Sequence, residues 1–160
     1  MIKLSEIETK YGNYLVDEDK LKELLVKPKP KTVWDLEPGE IYYYISAIGD
    51  ICSILWIGND FDEARIEFSN AFLTKEEAEF ELERKNCEDI MLKYGRRTFK
   101  HNKKNYFILF DYSEASVAID YFFTNFTQGC IYFDSEELAQ IAINEIGVER
   151  LKKYIFRVEE

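Results

Sequence analysis

The sequence predicts an α+β fold: two related strand-rich units, each an antiparallel hairpin followed by an acidic helix, preceded by a short helical N-terminal segment. Aromatic, strand-like runs open the two units at residues 42–45 and 106–109. Residues 71–78 then align with residues 131–138, and both segments pass from an apolar strand into an acidic helix. In each copy a hydrogen-bond acceptor, Thr74 or Asp134, precedes a Glu by three positions, which is typical of a helix capping box.

The N-terminal segment is predicted as two short helices, over 3–10 and 17–26, on either side of an extended stretch at 14–16. The Lys-Pro run at 27–31 then blocks both helix and central strand, because proline lacks the N–H group and constrains the residue before it. We therefore expect an N-terminal segment with its linker over 1–32, a first β–α unit over 33–95 and a second over 96–160. Together they would form one compact domain or two closely packed lobes.

The first unit is predicted from its alternating aromatic and turn signals. Strands are expected over 41–47 and 51–57, separated by a turn at Gly49-Asp50. Asn59 or Asp60 could cap a short helix, after which residues 71–73 would form a third strand. A long helix is expected from Lys75 to about Tyr94. One apolar stripe would carry Phe80, Cys87, Met91 and Tyr94, and a second would carry Ala78 and Leu82.

The second unit follows a basic connector that begins after Gly95. Strands are predicted over 105–111, 115–123 and 129–133, in a region that is rich in aromatic residues. A helix is predicted from Ser135 to Ile146, because Gly147 breaks the apolar pattern. Residues 148–154 would add another helical turn or two, and 155–158 could return as an edge strand.

Composition and charge limit the classes of function that the chain can have. The chain has 160 residues, of which 46% are hydrophobic and 32% charged, as in soluble globular proteins, and its formal net charge is −10. Residues 60–94 hold 11 acids and 5 bases and residues 106–160 hold 10 and 4, whereas residues 95–105 hold 5 bases and no acid. Such acidity serves solubility, or it favours a basic partner and repels nucleic acid and membranes. No apolar run reaches the ~18 residues of a membrane span, and the first residues lack the apolar core of a signal peptide, so we expect a cytosolic protein.

The sequence offers no catalytic, cofactor-binding or metal-ligating set, and we expect a non-enzymatic protein without a cofactor. His101 is the only histidine and lies in the basic connector. The three cysteines are far apart and lie in apolar or acidic runs, which suits neither a zinc site nor a nucleophile. The acidic triplets at 17–19 and 60–62 lack the register of a calcium loop, and helix caps explain both. Glycine-rich phosphate loops and nucleophile elbows are also missing.

Two charged segments carry the candidate binding residues. Carboxylates beyond the first turn of the helix 75–94 have no capping duty, and their burial without partners would be costly, so we expect them to face water and meet a basic partner. These partner-binding candidates are Glu79, Glu81, Glu83 and Glu88. The connector after Gly95 could hold phosphates, or its cations could balance neighbouring carboxylates and the negative end of the preceding helix. Its phosphate-binding candidates are Arg96, Arg97, Lys100, Lys103 and Lys104.

Several segments resemble small acidic proteins encoded by phages and prophages of Gram-positive bacteria. The likeness lies in residues 4–14, the Lys-Pro linker before residues 33–36, the tyrosine run 42–45 and residues 70–79. It covers most of residues 1–94, whereas the C-terminal third shares only its strand-to-helix ending. That group overlaps the accessory genes from which counter-defence proteins, including anti-CRISPR inhibitors, are drawn. Its motifs mark a lineage and transfer no functional residue to this chain.

The resemblance implies a phage counter-defence protein in the host bacterial cytosol that inhibits a nucleic-acid-handling complex, foremost a CRISPR effector. Its partner would be a host protein or ribonucleoprotein with a basic groove, which acidic side chains would occupy in place of nucleic acid. Glu side chains on one helix face recur every ~5–6 Å, near the phosphate spacing along a strand. Two alternatives stay open: a nucleic-acid-binding accessory protein that uses the connector 96–104, and a protein that sequesters a small molecule or nucleotide signal. The sequence predicts no oligomeric state.

Overall fold

The computed structural model describes residues 4–12, 20 and 29–158. The chain is divided into two compact units, Met1–Lys31 and Thr32–Glu160. In the first unit, helix α1 spans Leu4–Tyr11, as predicted for 3–10. The predicted helix over 17–26 and the extended stretch 14–16 lie outside the described residues, apart from Lys20.

The first hairpin of the second unit pairs β1, Ile41–Ile45, with β2, Ile51–Leu55, in antiparallel register. On its other edge, β1 pairs with a short third segment: the backbones of Tyr43 and Phe72 exchange two hydrogen bonds of 2.9 Å. Helix α2, Asp60–Glu67, connects β2 to this segment. Its cap is Asn59, whose side chain accepts two backbone N–H groups at 2.9 Å, so the predicted short helix is confirmed.

The second hairpin repeats this arrangement. Strand β3, Asn105–Asp111, pairs antiparallel with β4, Ser116–Phe122. The backbone of Phe133 exchanges two hydrogen bonds with that of Tyr106 on the free edge of β3, so the third segment again lies beside the first strand. The predicted strands over 71–73 and 129–133 are therefore present only as isolated bridges, because each has too few residues in register for a full ladder.

Each third segment leads into a long helix, and the first of these has the predicted capping box. Helix α3 spans Lys75–Tyr94. The Thr74 hydroxyl accepts the N–H of Glu77 at 3.1 Å, and the Glu77 carboxylate accepts the N–H groups of Leu73 and Thr74. These bonds satisfy N–H groups that the helix itself leaves without partners.

The second long helix starts differently from the prediction. Helix α4 spans Glu136–Ile146, and its cap is Ser135, which accepts the N–H of Leu138 at 3.4 Å. The prediction that Asp134 caps this helix is wrong, because its carboxylate is held by two side chains of the connector instead. The sequence alignment is thus one residue out of step with the structure: Phe133, not Tyr132, occupies the bridging position of Phe72.

Helix α3 joins the two hairpins. It contacts β1 and β2 as well as α4 and the C-terminal turns. Its Cys87 and Met91 belong to the larger core, in which β3, the third segment before α4 and α4 itself bury apolar side chains. A smaller core lies around Tyr42, Ile66 and Ala71. Phe80, predicted on the same apolar stripe as Cys87 and Met91, is only half-buried.

The chain after α4 remains helical to near its end. A short turn, α5, covers Val148–Arg150, and a π-helical turn follows at Leu151–Phe156. The prediction of an edge strand over 155–158 is wrong. The N–H of Val158 turns back to the carbonyl of Lys152 at 3.0 Å, and Arg157 takes the left-handed conformation that ends helices. None of the helices within the described residues is long and apolar enough to cross a membrane.

Gly95 is expected to tolerate no side chain. A Cβ atom there would lie 2.8 Å from Ile131 Cγ2 and 2.9 Å from the carbonyl oxygens of Met91 and Tyr132. Gly95→Ala should therefore lower the free energy of unfolding by about 1–3 kcal/mol, measured by urea denaturation. Two of these three contacts are backbone atoms, which cannot move aside as a flexible side chain does. Wild-type stability of this variant would contradict the close packing of α3 against the third segment.

Candidate functional site

A buried polar network lies at the centre of the smaller core. Tyr42 and Asp62 are both fully buried. The Tyr42 hydroxyl donates to Asp62 Oδ1 at 2.7 Å and accepts from Arg65 Nη1 at 2.7 Å. The other Asp62 oxygen accepts the N–H of Ile57 at 3.0 Å. Asp62 thus holds together β1, the end of β2 and α2, a structural role in agreement with its predicted place in a helix cap.

The network shifts the titration of both acids. Burial by itself raises the pKa of the Asp62 carboxyl, but hydrogen bonds from Tyr42, Ile57 and Asn59, with the nearby charge of Arg65, lower this pKa below its usual range. Burial and the hydrogen bond to Asp62 raise the pKa of Tyr42 above its usual value. The neutral phenol and the ionised carboxylate are therefore the stable pair at neutral pH.

Removal of the Tyr42 hydroxyl should weaken the fold. Tyr42→Phe leaves the buried Asp62 carboxylate and Arg65 without their shared partner, so we expect a loss of about 1–3 kcal/mol of unfolding free energy. Tyr44→Phe is the matched control: its hydroxyl makes no hydrogen bond within the described residues, while its ring, 3.9 Å below Arg65, is retained. Urea denaturation of both variants measures the difference. Equal stability of the two variants would contradict the role of the Tyr42 hydroxyl.

The same network predicts the pH limits of stability. The Asp62 contribution is present above the ordinary Asp pKa of about 3.9 and is lost as the pH falls through the lower folded value. The Tyr42 contribution is present below its ordinary pKa of about 10 and is lost as the pH rises through the higher folded value. In Tyr42→Phe the alkaline loss should disappear, and the acid loss should be smaller and complete at a higher pH than in the wild type, because the Asp62 carboxyl loses one of the hydrogen bonds that lower its pKa. Unfolding free energies across a pH series test both ends.

The acidic candidates of α3 are engaged within the chain, three of them by arginines. Arg84 binds both carboxylate oxygens of Glu81, at 2.7 and 2.8 Å, and reaches Glu88 at 3.1 Å. Arg97 binds the second oxygen of Glu88 at 2.7 Å. Burial by itself raises the pKa of Glu88, but the hydrogen bonds and charges of the two arginines lower it below the usual range. Glu88 therefore ties α3 to the connector.

The other two candidates are also paired. Glu79 binds Lys75 at 2.8 Å, one helical turn away, and both side chains are exposed. Glu83 binds Arg150 at 2.8 Å and so links α3 to the C-terminal turns. The expectation that these four carboxylates lack a structural task is therefore wrong for Glu81, Glu83 and Glu88. Their contact with a partner stays a prediction.

Two neighbouring carboxylates on α3, Glu88 and Asp89, allow the structural role of the Glu88 ion pairs to be tested. Glu88→Gln removes two ion pairs and should cost about 0.5–1.5 kcal/mol of unfolding free energy, because the pairs are partly buried. Asp89→Asn is the control, since Asp89 is exposed and makes no ion pair within the described residues, and it should change stability by less than about 0.5 kcal/mol. The Glu88 contribution exists above its ordinary pKa of about 4.3, so the gap between wild type and Glu88→Gln should close as the pH falls below it. A constant gap across that range would exclude the ion pairs as its cause.

Three of the five cations proposed for phosphate binding are neutralised by carboxylates. Arg96 and Lys100 both bind Asp134, at 2.9 and 2.7 Å. These bonds lower the pKa of Asp134 below its usual range. Arg97 binds Glu88, as described above. For these residues the structure favours the alternative in which the connector balances neighbouring carboxylates.

The remaining cations of the connector lie over or near aromatic rings or are exposed. Lys104 Nζ lies 4.4 Å from the centre of the Tyr121 ring and 5.7 Å from that of Tyr106. Lys103 is exposed, and so is His101, which lies at the surface as expected for the connector. Two lysines without carboxylate partners are a much smaller phosphate site than the five cations that the sequence suggested.

A buried asparagine shapes this connector, and the sequence analysis missed it. The Asn105 side chain is fully buried and donates to the carbonyls of Lys100 and Lys103, at 2.9 and 2.8 Å. Its oxygen accepts from the backbone of Lys100 and from Arg96. A polar residue in the first position of an otherwise aromatic strand was the available signal. Asn105 thus ties the backbone of the loop at Lys100 and Lys103 to the start of β3.

Metal ligands and reactive thiols are the two kinds of site that the His, Cys, Asp and Glu side chains of the described residues could form. No group of three or more His, Cys, Asp or Glu residues there could hold a metal ion. Burial raises the pKa of the Cys87 and Cys130 thiols, which disfavours the reactive thiolate. Cys52 is half-buried on β2.

A groove of about 670 Å³ runs along α3 beside the C-terminal turn. Its apolar side chains are Phe72, Phe80 and Val158, and three carboxylates from the first two turns of α3 line one side. Lys153 and Arg157 line the other side, and Arg157 lies 5.4 Å from the centre of the Phe80 ring. Neither cation makes an ion pair with the described part of the chain. The sequence analysis missed this groove because it grouped Phe80 with Cys87 and Met91 on one apolar stripe of α3.

Comparison of the chain with models of known protein families, with curated proteins and with solved structures finds no match. The likeness to phage and prophage proteins therefore stays an expectation from the sequence. The charges and cavities of the described residues are the remaining basis for a proposal about the function of the chain.

Proposed function

We propose that this chain is a non-enzymatic phage counter-defence protein that binds a basic surface of a host nucleic-acid-handling complex, with a CRISPR effector as the foremost target. The resemblance of residues 1–94 supports the origin and the class of target. The charge of the surface supports the mode of binding, and one observation carries it.

That observation is the unpaired charge on α2 and α3. All five bases between Asp60 and Tyr94 are engaged with carboxylates. Apart from Glu77, which caps α3, five exposed carboxylates of the same stretch make no ion pair within the described residues. They are Asp60, Glu63, Glu67, Glu76 and Asp89. A surplus of fixed negative charge without an internal partner suits a basic groove, and it raises the rate and specificity of association with one.

The surplus is concentrated on α2. Glu63 and Glu67 lie one helical turn apart, a rise of about 6 Å, which is close to the spacing of phosphates along a strand. Asp60 lies at the start of the same helix. The carboxylates that we expect to contact the partner first are therefore these three. Glu79, Glu81, Glu83 and Glu88 would contribute only if their internal pairs exchange for pairs with the partner.

The proposal predicts which neutral variants lose inhibition. The variant Asp60→Asn/Glu63→Gln/Glu67→Gln should weaken inhibition of guide-RNA-directed DNA cleavage about tenfold or more, because it removes charge without breaking internal pairs. Asp50→Asn/Glu114→Gln/Asp120→Asn removes the same charge from the two hairpins and should retain inhibition within about twofold. Purified effectors of Gram-positive bacteria, assayed at about 0.05 M and 0.3 M salt, give the measurement, and salt should weaken the wild-type protein.

Three outcomes would count against the proposal. Equal inhibition by both triple variants would contradict a contact through α2. Absence of inhibition of every effector tested would contradict the class of target. Binding of plain nucleic acid by the purified protein, abolished by Lys103→Ala/Lys104→Ala, would favour the accessory-protein alternative that uses the connector.

The groove beside Phe80 supports a second candidate function, sequestration of a small anionic molecule such as a nucleotide signal. Its volume suits a ligand of that size. Lys153 and Arg157 could meet phosphates, and Phe80 could stack a base. Extraction of the protein purified from an infected host, followed by mass spectrometry, would distinguish this function by recovery of a bound molecule that Arg157→Ala fails to retain.

A further inference from the structure

A narrow cleft lies between α2 and the short 3₁₀ turn Val33–Asp35. Its volume is about 280 Å³. The indoles of Trp34 and Trp56 line it together with the carboxylate-bearing side chains of Glu63 and Glu67. Aromatic and carboxylate groups are thus brought together from three separate parts of the sequence.

The turn that carries Trp34 is well defined. The Asp35 carboxylate accepts the backbone N–H and the hydroxyl of Thr32, at 2.9 and 2.7 Å, and the N–H of Asp35 donates to the Thr32 carbonyl at 3.0 Å. Yet Trp34 is 71% exposed. Trp56, by contrast, packs edge-on against buried Tyr42 at 5.9 Å. The Trp56 indole is therefore anchored in the core. The Trp34 indole is held at the surface by a local turn, and much of its area is exposed to solvent.

The charge inside the cleft is unbalanced. Neither Glu63 nor Glu67 makes an ion pair within the described residues. Arg65, the only base of α2, is directed to Tyr42 and lies 3.9 Å from the centre of the Tyr44 ring. Two carboxylates therefore face a space lined by indoles, with no cation of α2 to neutralise them.

These groups match one ligand chemistry. Indole faces attract cations more strongly than other aromatic rings do, and carboxylates pair with guanidinium and ammonium groups. The apolar sides of the cleft suit the methylene stem of a long basic side chain. Val33 and Ile66 complete the lining of the cleft and supply its apolar sides.

We propose that this cleft binds an arginine or lysine side chain presented by a basic polypeptide segment of the partner. The cation would lie between the indoles and the two carboxylates. The inference rests on the proposed function for the identity of the partner, but the cleft itself can be tested without that partner. An anionic ligand, such as nucleic acid, is disfavoured at this site, because two carboxylates and no cation line it.

The test uses the full chain labelled with ¹⁵N and a short arginine-containing peptide as the probe. Because the chain has two tryptophans, only two indole N–H signals need to be followed, and Trp34→Phe assigns them. The arginine peptide should shift both signals, and a peptide with citrulline, the neutral counterpart of arginine, should shift neither. Glu63→Gln/Glu67→Gln and Trp34→Leu should each weaken binding about fivefold or more. The control Glu114→Gln/Asp120→Asn, with the same change of charge, should stay within about twofold.

Equal binding of the arginine and citrulline peptides, or full binding to Trp34→Leu, would overturn the inference. Because Trp34 is exposed, its replacement should leave folding intact, which the remaining amide signals report. Failure of the two proposals is distinguishable. Peptide binding at the cleft without inhibition of any effector would overturn the proposed function alone. If the Trp34→Leu variant binds no arginine peptide but still inhibits an effector, the proposal about the cleft alone would be overturned.

Discussion

A two-stranded hairpin buries too little surface to be stable by itself, and the part of the chain that the structure describes contains two of them. Each hairpin gains a third segment through one pair of backbone hydrogen bonds, and the same segment leads directly into a helix. Helix α3 then contacts β1 and β2 as well as α4 and the C-terminal turns. Burial of its Cys87 and Met91 with the second hairpin makes the two repeats depend on one helix.

Local signals predicted most of the fold. The bounds of α3 and α4, the Asn59 cap and the register-setting turns all depend on residues close together in the chain, so the sequence contains them. The errors lie where a distant partner decides the outcome. Asp134 is suited to capping α4, but Arg96 and Lys100 hold it, and the apolar residues at 155 and 156 pack on the core as a helical turn and not as a strand.

The candidate site was harder to predict for the same reason. The sequence shows that α3 is rich in Glu, but it does not show that Arg97 and Arg150 arrive from other elements to pair with Glu88 and Glu83. The network of Tyr42 with Asp62 likewise joins residues twenty positions apart. Charge counted along the sequence overstates the charge that is free to meet a partner, because pairing across the fold is invisible to it.

The distribution of pairing separates the two acidic helices by role. On α3 the glutamates beyond the first turn bind bases of the same helix, of the connector and of the C-terminal turns, so much of their charge stabilises the fold. On α2 the single base is directed inward to Tyr42, where it completes a buried network, and the outward carboxylates have no neighbour to compensate them. The need to neutralise Asp62 inside the core thus leaves Glu63 and Glu67 uncompensated outside it. The charge that a partner could use is in this sense a consequence of how the first hairpin is held to its helix.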